Sequence, residues 1–495
     1  MRCIECEEIE LARVRDERPS QTMAVPHAAL DGFPAGRSPA DLTRRRLLQF
    51  GVAGLASVYG PKALGWESVW ESVAAHADVP ADNCLVLLYL AGGNDGVNTI
   101  VPTGAADYSA YLAARPVIAR GLGATTPERI GAQPLAGSAG AQLAFSNVMV
   151  STAGGGDNGD AAFGLDTLYG DDALAVMPAV DAKKYSLSHF DNSDIWFKAS
   201  YDLNIKTGWL GRWIDRNGSA TNPLQAISID TALSKSIRTA VNPVCAIPSL
   251  SSLGFSMNQT GGTGTVALNP QMEALSALTP GPSNAYLQRT RGTYAVAVET
   301  HRRSVSGPAY VAGAGYPSTG TLSTRLRLAA HLLSAGLGTR IITIHWGGFD
   351  THSGQLASQD AQLRELSRAL GAFRADLAAR GVEQKVATLV FSEFGRRVAE
   401  NGSAGTDHGA GGLMLAMGGG VRGGLASEWP GCRPQDLVPV NNPAQGNLKV
   451  PTDYRSVYRS VIEEWLGDDP QAVLGGEPVD ALVRGDGATG RTLFN

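Results

Sequence analysis

The sequence repeatedly places carboxylates and imidazoles just beyond apolar runs. Asn94 and Asp95 follow Cys84-Leu85-Val86-Leu87-Leu88-Tyr89-Leu90 across Gly92-Gly93. Asp350 and His352 follow Arg340–Trp346, within Gly348-Phe349-Asp350-Thr351-His352. Glu393 follows Val386–Phe391, within Ser392-Glu393-Phe394-Gly395-Arg396, and Asp407-His408 comes one loop later in Thr406-Asp407-His408-Gly409. Carboxylates and imidazoles sharing a pocket are ligands for a transition metal. Imidazole suits zinc, manganese or iron, whereas oxygen-only cages suit calcium or magnesium. Taken singly, each segment has a plainer reading. Asn94-Asp95-Gly96 is ordinary turn chemistry, Asp350 could cap the helix after it, and Glu393 could pair with Arg396 or Arg397. Their recurrence at several strand ends is the argument for a metal site. Asp95, Asp350, His352, Glu393, Asp407 and His408 are its candidate ligands.

A further element is Tyr185-Ser186-Leu187-Ser188-His189-Phe190-Asp191. Ser188 with Asp191 has the spacing of a capping box that opens a helix toward Trp196. The same geometry has a chemical reading, because free N–H groups and the dipole at a helix start favour an anion. A metal at the serine oxygen would lower the hydroxyl pKa and make it a nucleophile. Ser188 is the candidate nucleophile, with Ser186 as substitute and His189 beside it. Arg396 or Arg397 offers a planar guanidinium that suits phosphate oxygens.

These residues need a scaffold that brings strand ends together. Cys84–Leu90 is a continuous apolar run stopped by glycine and polar residues, as in a strand buried on both faces. Arg340–Trp346 is β-branched strand material broken by Gly347-Gly348, and Val386–Phe391 reads as another buried strand. Leu413–Met417 is a shorter one. Leu326–Leu337 reads as a helix. Leu363, Leu366, Leu370, Phe373 and Leu377 recur at helical spacing until Gly381. The alternation predicts an α/β fold with a doubly wound, mostly parallel sheet, in which ligands bind beyond the carboxyl ends of the strands. Between 217 and 324 the pattern dissolves into Ser, Thr, Gly, Pro and Asn, which predicts a loop-rich insertion or cap with one helix near Tyr294–Arg303.

The amino-terminal part has a different character. Thr43-Arg44-Arg45-Arg46-Leu47-Leu48-Gln49 precedes an apolar stretch to Tyr59, and Ala75-His76-Ala77 supplies a cleavage site. That is the pattern of a twin-arginine signal peptide. The expectation is a leader over 1–77, one α/β domain over 78–495, and passage through the twin-arginine translocon to the periplasm or the exterior. The apolar stretch is too short to span a bilayer, so no stable membrane anchor is expected. The formal net charge of −5 comes without a basic stripe, which argues against nucleic acid as a partner. Cys84, Cys245 and Cys432 are isolated in the sequence, so they allow at most one disulfide.

Six motifs in order give the chain a resemblance to the family catalogued as domain of unknown function 1501. They are Ala91–Gly96, Ser188-His189-Phe190, Gly208-Trp209-Leu210-Gly211-Arg212, Gly348–His352, Ser392–Arg396 and Asp407-His408-Gly409. The family is grouped with the alkaline phosphatase-like superfamily. The resemblance implies one or two divalent ions at the carboxyl edge of the sheet and a small-molecule or polymer ester as substrate. By position, Asp95 resembles the first-strand ligand, Ser188 the nucleophile, Asp350 and His352 the mid-chain ligand pair, and His408 the final histidine. Glu393 stands where relatives have an Asp-His pair, and Phe394 replaces the expected histidine. Cys432-Arg433-Pro434-Gln435 lacks the Ser-Arg of a sulfatase cysteine motif. The activity implied is therefore hydrolysis of phosphate esters, with sulfate esters second. Ser188, His189 and Arg396 form its catalytic set. The competing reading is a non-catalytic envelope protein that binds a ligand or glycan on this scaffold.

Overall fold

A computed structural model describes residues 57–59, 82–120, 129–130, 143–150, 164–220, 222–249, 315–440, 446–476, 478–485 and 492–495. The sheet is assembled from strands β1 (Ser57–Tyr59), β2 (Cys84–Ala91), β3 (Leu174–Asp181), β4 (Ala226–Ile229) and β5 (Val244–Ala246). It continues with β6 (Ile341–Gly347), β7 (Val386–Phe391), β8 (Gly412–Gly418), β9 (Gly424–Leu425) and β10 (Thr452–Asp453). The spatial order is β1-β5-β4-β6-β2-β7-β8-β3-β9, with β10 also pairing with β3. Strands β5, β4, β6, β2 and β7 are parallel neighbours. Strand β8 runs against β7 and β3, and β1 runs against β5. The architecture is mixed α/β with a mostly parallel central sheet.

The apolar run of β2 is continuous because its two faces meet two different cores. Val86, Leu88 and Leu90 face one side, with Ile342, Ile344 and Val390 of the neighbouring strands. Against them pack α4 (Thr321–Ser334) and α5 (Gln355–Ala379), through Leu326, Leu363, Leu370 and Phe373. Leu85, Leu87 and Tyr89 face the other side, with Leu389 and Phe391. There α2 (His189–Lys198), α3 (Trp209–Asn217) and α6 (Tyr454–Ser460) supply Trp196, Trp209, Trp213, Tyr454 and Tyr458. One further helix, α1 (Ala105–Ala114), follows β2. Trp209 stacks on Tyr458 at 4.2 Å and Trp196 on Tyr454 at 4.6 Å. Such aromatic pairs add about 0.5–1.5 kcal/mol each beyond the area they bury.

Two features depart from the sequence reading. First, residues 222–249 do not belong to a cap. They supply β4 and β5, which extend the sheet beyond β6. The helix expected at Tyr294–Arg303 lies outside the described residues. Second, β3 is a fully buried strand despite Pro178 at its centre. The sheet accommodates it by a register irregularity between Gly412 and Met414 of β8, opposite Ala179, which adopts φ 54°. Proline gives no N–H to a ladder, so it sits in a sheet only where pairing is already broken.

Of residues 1–77, read from sequence as a leader, only Ser57–Tyr59 are described, and they form the antiparallel partner of β5. Among the described residues, no helix is long and apolar enough to cross a membrane. Cys84, Cys245 and Cys432 are buried free thiols, so none of these three forms the disulfide the sequence allowed.

Candidate functional site

Four chain segments meet beyond the carboxyl edge of the sheet. The turn after β6 carries Asp350 and His352. The loop after β3 leads through Leu187 and Ser188 into α2 and His189. A two-strand ribbon after β7, Gly395–Arg396 with His408–Gly409, carries His408. The tight turn after β2 brings Gly92 and Gly93. Both glycines have positive φ, and a Cβ on Gly92 would collide with the backbone of Asp350, one on Gly93 with the Phe394 ring. Only glycine permits that approach.

Asp350 is the centre of the cluster. Its Oδ1 lies 3.0 Å from His352 Nε2, 3.3 Å from His408 Nε2 and 3.6 Å from His189 Nε2. His352 and His408 approach each other Nε2 to Nε2 at 2.9 Å. Each imidazole has a group behind it, hydrogen-bonded to the ring for His189 and His408. His189 Nδ1 meets Glu393 Oε1 at 2.6 Å, His408 Nδ1 meets the Leu187 carbonyl at 2.8 Å, and His352 Nδ1 faces Asp407 Oδ1 at 3.5 Å. The ring of Phe394 packs against His189 and His408 at 4.8 and 4.6 Å, a dry backing for both. His189, Asp350 and His408 offer ligand atoms close enough together to hold a metal ion.

The electrostatics follow from these contacts. Burial opposes charge on His189, but the carboxylates of Asp350 and Glu393 prevail and raise its pKa to about 9. Burial, with Arg396 and His189 nearby, lowers His408 against the pull of Asp350 and favours its neutral imidazole, the form that ligates a metal. Burial would raise Glu393, yet the bonds from His189 and the N–H of Gly92 keep it low.

Residues 294–457 match the family model described as "Protein of unknown function (DUF1501)". The match supports the family resemblance carried by the motifs. It spans Asp350, His352, Glu393, Arg396, Asp407 and His408, while Asp95, Ser188 and His189 lie before it. No curated protein and no solved structure matches the chain.

Within this geometry the candidate residues take distinct places. Asp350, His352 and His408 meet as expected. His189, read as a catalytic neighbour of Ser188, points its ring into the cluster. Glu393 is not aimed at the centre. Its two oxygens accept from Gly92, Gly93, Ser392 and His189, so it orients a histidine instead. Asp407 likewise stands behind His352, shared with Asn401 and Arg397. Asp95 is wholly engaged elsewhere. Arg115 binds both its oxygens at 2.6 and 3.0 Å, Gln355 donates to Oδ2, and the Asn98 N–H caps to Oδ1. Burial works to raise its pKa, but Arg115 outweighs it and holds Asp95 low.

Arg396 is fully buried, with no nitrogen presented to an incoming anion. Its donors go to the carbonyls of Gly92, Gly93, Phe349 and Thr406 and to Asp350 Oδ1 at 2.7 Å. It locks Asp350 in place. Ser188 is the N-cap residue of α2, but its hydroxyl makes no cap bond, so the capping box is not formed. The Leu187 carbonyl and the His189 ring both touch the cluster, and Ser188 lies between them, half-buried.

Sequence reasoning missed Arg115, Gln355 and the Leu187 carbonyl. No pattern around Arg115 marks it as the partner of Asp95. Gln355 carried a weak signal, since it opens the helix directly after the His352 turn.

Proposed function

We propose that the chain is a metal-dependent hydrolase of phosphate esters, with sulfate esters second, on an alkaline phosphatase-like scaffold. One observation carries the reading. Three imidazole Nε2 atoms crowd one carboxylate oxygen, while Glu393 and the Leu187 carbonyl hold Nδ1 of His189 and His408 and Asp407 faces that of His352. Protein metal sites use such supports to fix the tautomer and aim the ligand.

The residues also pass a test of fit. His189 Nε2 is buried without a hydrogen-bond partner, and its 3.6 Å separation from Asp350 is too long for a hydrogen bond. An ion that displaces the proton from this imidazole would satisfy such an atom. His189 and His408 would hold it with Asp350, with His352 beside them on the same carboxylate oxygen, an imidazole-bearing donor set that suits zinc, manganese or iron. When bound, a divalent ion supplies Lewis-acid charge that favours an ionised hydroxyl and offsets charge on the transferred group.

The chain's own groups supply the rest. Arg396 fixes Asp350, and Phe394 excludes water from behind two rings. Ser188, the proposed nucleophile, opens a ten-residue helix whose first N–H groups receive no side-chain cap, and such groups attract a phosphate. The twin-arginine motif at Thr43–Gln49 supports export to the periplasm or the exterior, with the translocon as a transient partner. The full chain, loaded with zinc or manganese, is expected to hydrolyse members of a panel of phosphate and sulfate esters. Ser188→Ala is expected to abolish turnover with metal content intact. Unchanged hydrolysis in that variant removes the serine mechanism.

The complete engagement of Arg396 favours a second reading, a non-catalytic envelope protein that binds a ligand or glycan. A stable chain that retains no ion and turns over no ester would select it.

A further inference from the structure

We infer that the centre is mononuclear, and that the Arg115 guanidinium permanently supplies the positive charge a second ion would otherwise bring to Asp95. The inference rests on the metal reading proposed above. A second ion at this edge would draw on the remaining candidate carboxylates. Asp95 and Glu393 have no oxygen to give, and Asp407 accepts from Asn401 while facing His352 and Arg397.

Arg115 and Asp95 are both fully buried, 0% exposed on each side. The arginine contributes more than charge. It also donates to Asn98 Oδ1 at 2.7 Å and to the carbonyls of Arg397 and Val398 at 3.0 and 2.6 Å. Displacing it for a metal would strand the two carbonyls and leave Asn98 Oδ1 to the Tyr111 hydroxyl alone, and placing a dication beside it would set like charges together away from water. Glu393 is closed differently. The N–H groups of Gly92 and Gly93, the Ser392 hydroxyl and His189 Nδ1 all point at its oxygens. Phe394, packed on His189 and His408, offers no donor atom where an added ligand would have to stand.

The test counts ions. Full-length protein is stripped with EDTA, titrated with zinc chloride or, separately, manganese chloride, and desalted. Retained metal is then counted by native mass spectrometry and elemental analysis. One equivalent per chain is expected for the wild type, and none for His352→Ala/His408→Ala. Two equivalents in the wild type overturn the inference alone. An equivalent persisting in the double variant also overturns it, since that ion sits away from the histidines. No ion in the wild type overturns the metal reading and the inference with it. Should the double variant fail to fold, the wild-type count decides.

Discussion

Glu393→Gln separates the role of this carboxylate in aiming His189 from its role in bracing the β2 turn. In the native site Oε1 accepts from His189 Nδ1 at 2.6 Å and Gly92 N–H at 2.9 Å, while Oε2 accepts from Gly93 N–H at 3.2 Å. Glutamine must turn one N–H₂ into this ring of donors. With its carbonyl toward His189, the amide nitrogen confronts the Gly93 N–H. The resulting buried, unsatisfied donor costs about 1–3 kcal/mol.

The ring then keeps its tautomer but loses the charge behind it. Removing such a support lowers metal affinity about 10–100-fold, or about 1.4–2.7 kcal/mol. The opposite amide orientation is worse, because it makes Nδ1 an acceptor and puts the proton on Nε2. Zinc affinity is read by competition with a chromophoric chelator, and stability by urea unfolding of the metal-free protein. Both should fall. Zinc affinity within about twofold of wild type, beside the expected stability loss, would refute the aiming role and leave Glu393 as a brace alone.

Arg115→Met should cost about 3–5 kcal/mol in unfolding free energy, because it leaves Asp95 charged and dry. Adding Asp95→Asn should recover part of that loss in the same urea assay. Asp181 is pushed up to about 7 by burial, against the N–H donors of Ala182, Gly411 and Asn192. Its folded pKa exceeds the unfolded one, so its stabilising contribution is full below about pH 4 and lost as pH rises through about 7, at up to about 1.4 kcal/mol per unit. Asp181→Asn should flatten the stability profile over that window, and an unchanged profile would sink the assignment. Glu464 accepts from the N–H groups of Thr492, Leu493 and Phe494. Glu464→Gln should cost about 1.5–3 kcal/mol and speed hydrogen exchange at those amides.

Legibility in the sequence tracks how far local pattern reflects global environment. Strands β2, β6 and β7 were readable because burial on both faces makes apolar and β-branched residues dominate them, and β7 falls at its expected limits of Val386 and Phe391. Strand β3 went unread because Pro178 is a strand-breaking signal that a distant bulge in β8 neutralises. Strands β4 and β5 are only 4 and 3 residues long, too short for periodicity to register among polar neighbours. At the site, sequence located the loops but not the direction of each side chain. Asp95 and Glu393 follow strand ends as Asp350 does. Whether such a carboxylate faces the centre or supports a neighbour depends on Arg115 and His189, and His189 lies 204 positions from Glu393.

The cluster also joins remote parts of the chain, as shown by His408 grasping a carbonyl 221 positions away. On the metal reading an ion there acts as a removable rivet between loops that the cores do not clamp. Its binding free energy then adds to folding stability by mass action, about 2.7 kcal/mol at a hundredfold excess over the dissociation constant. The melting temperature becomes a gauge of free zinc, and a chelator should loosen this edge of the sheet before either aromatic core gives way.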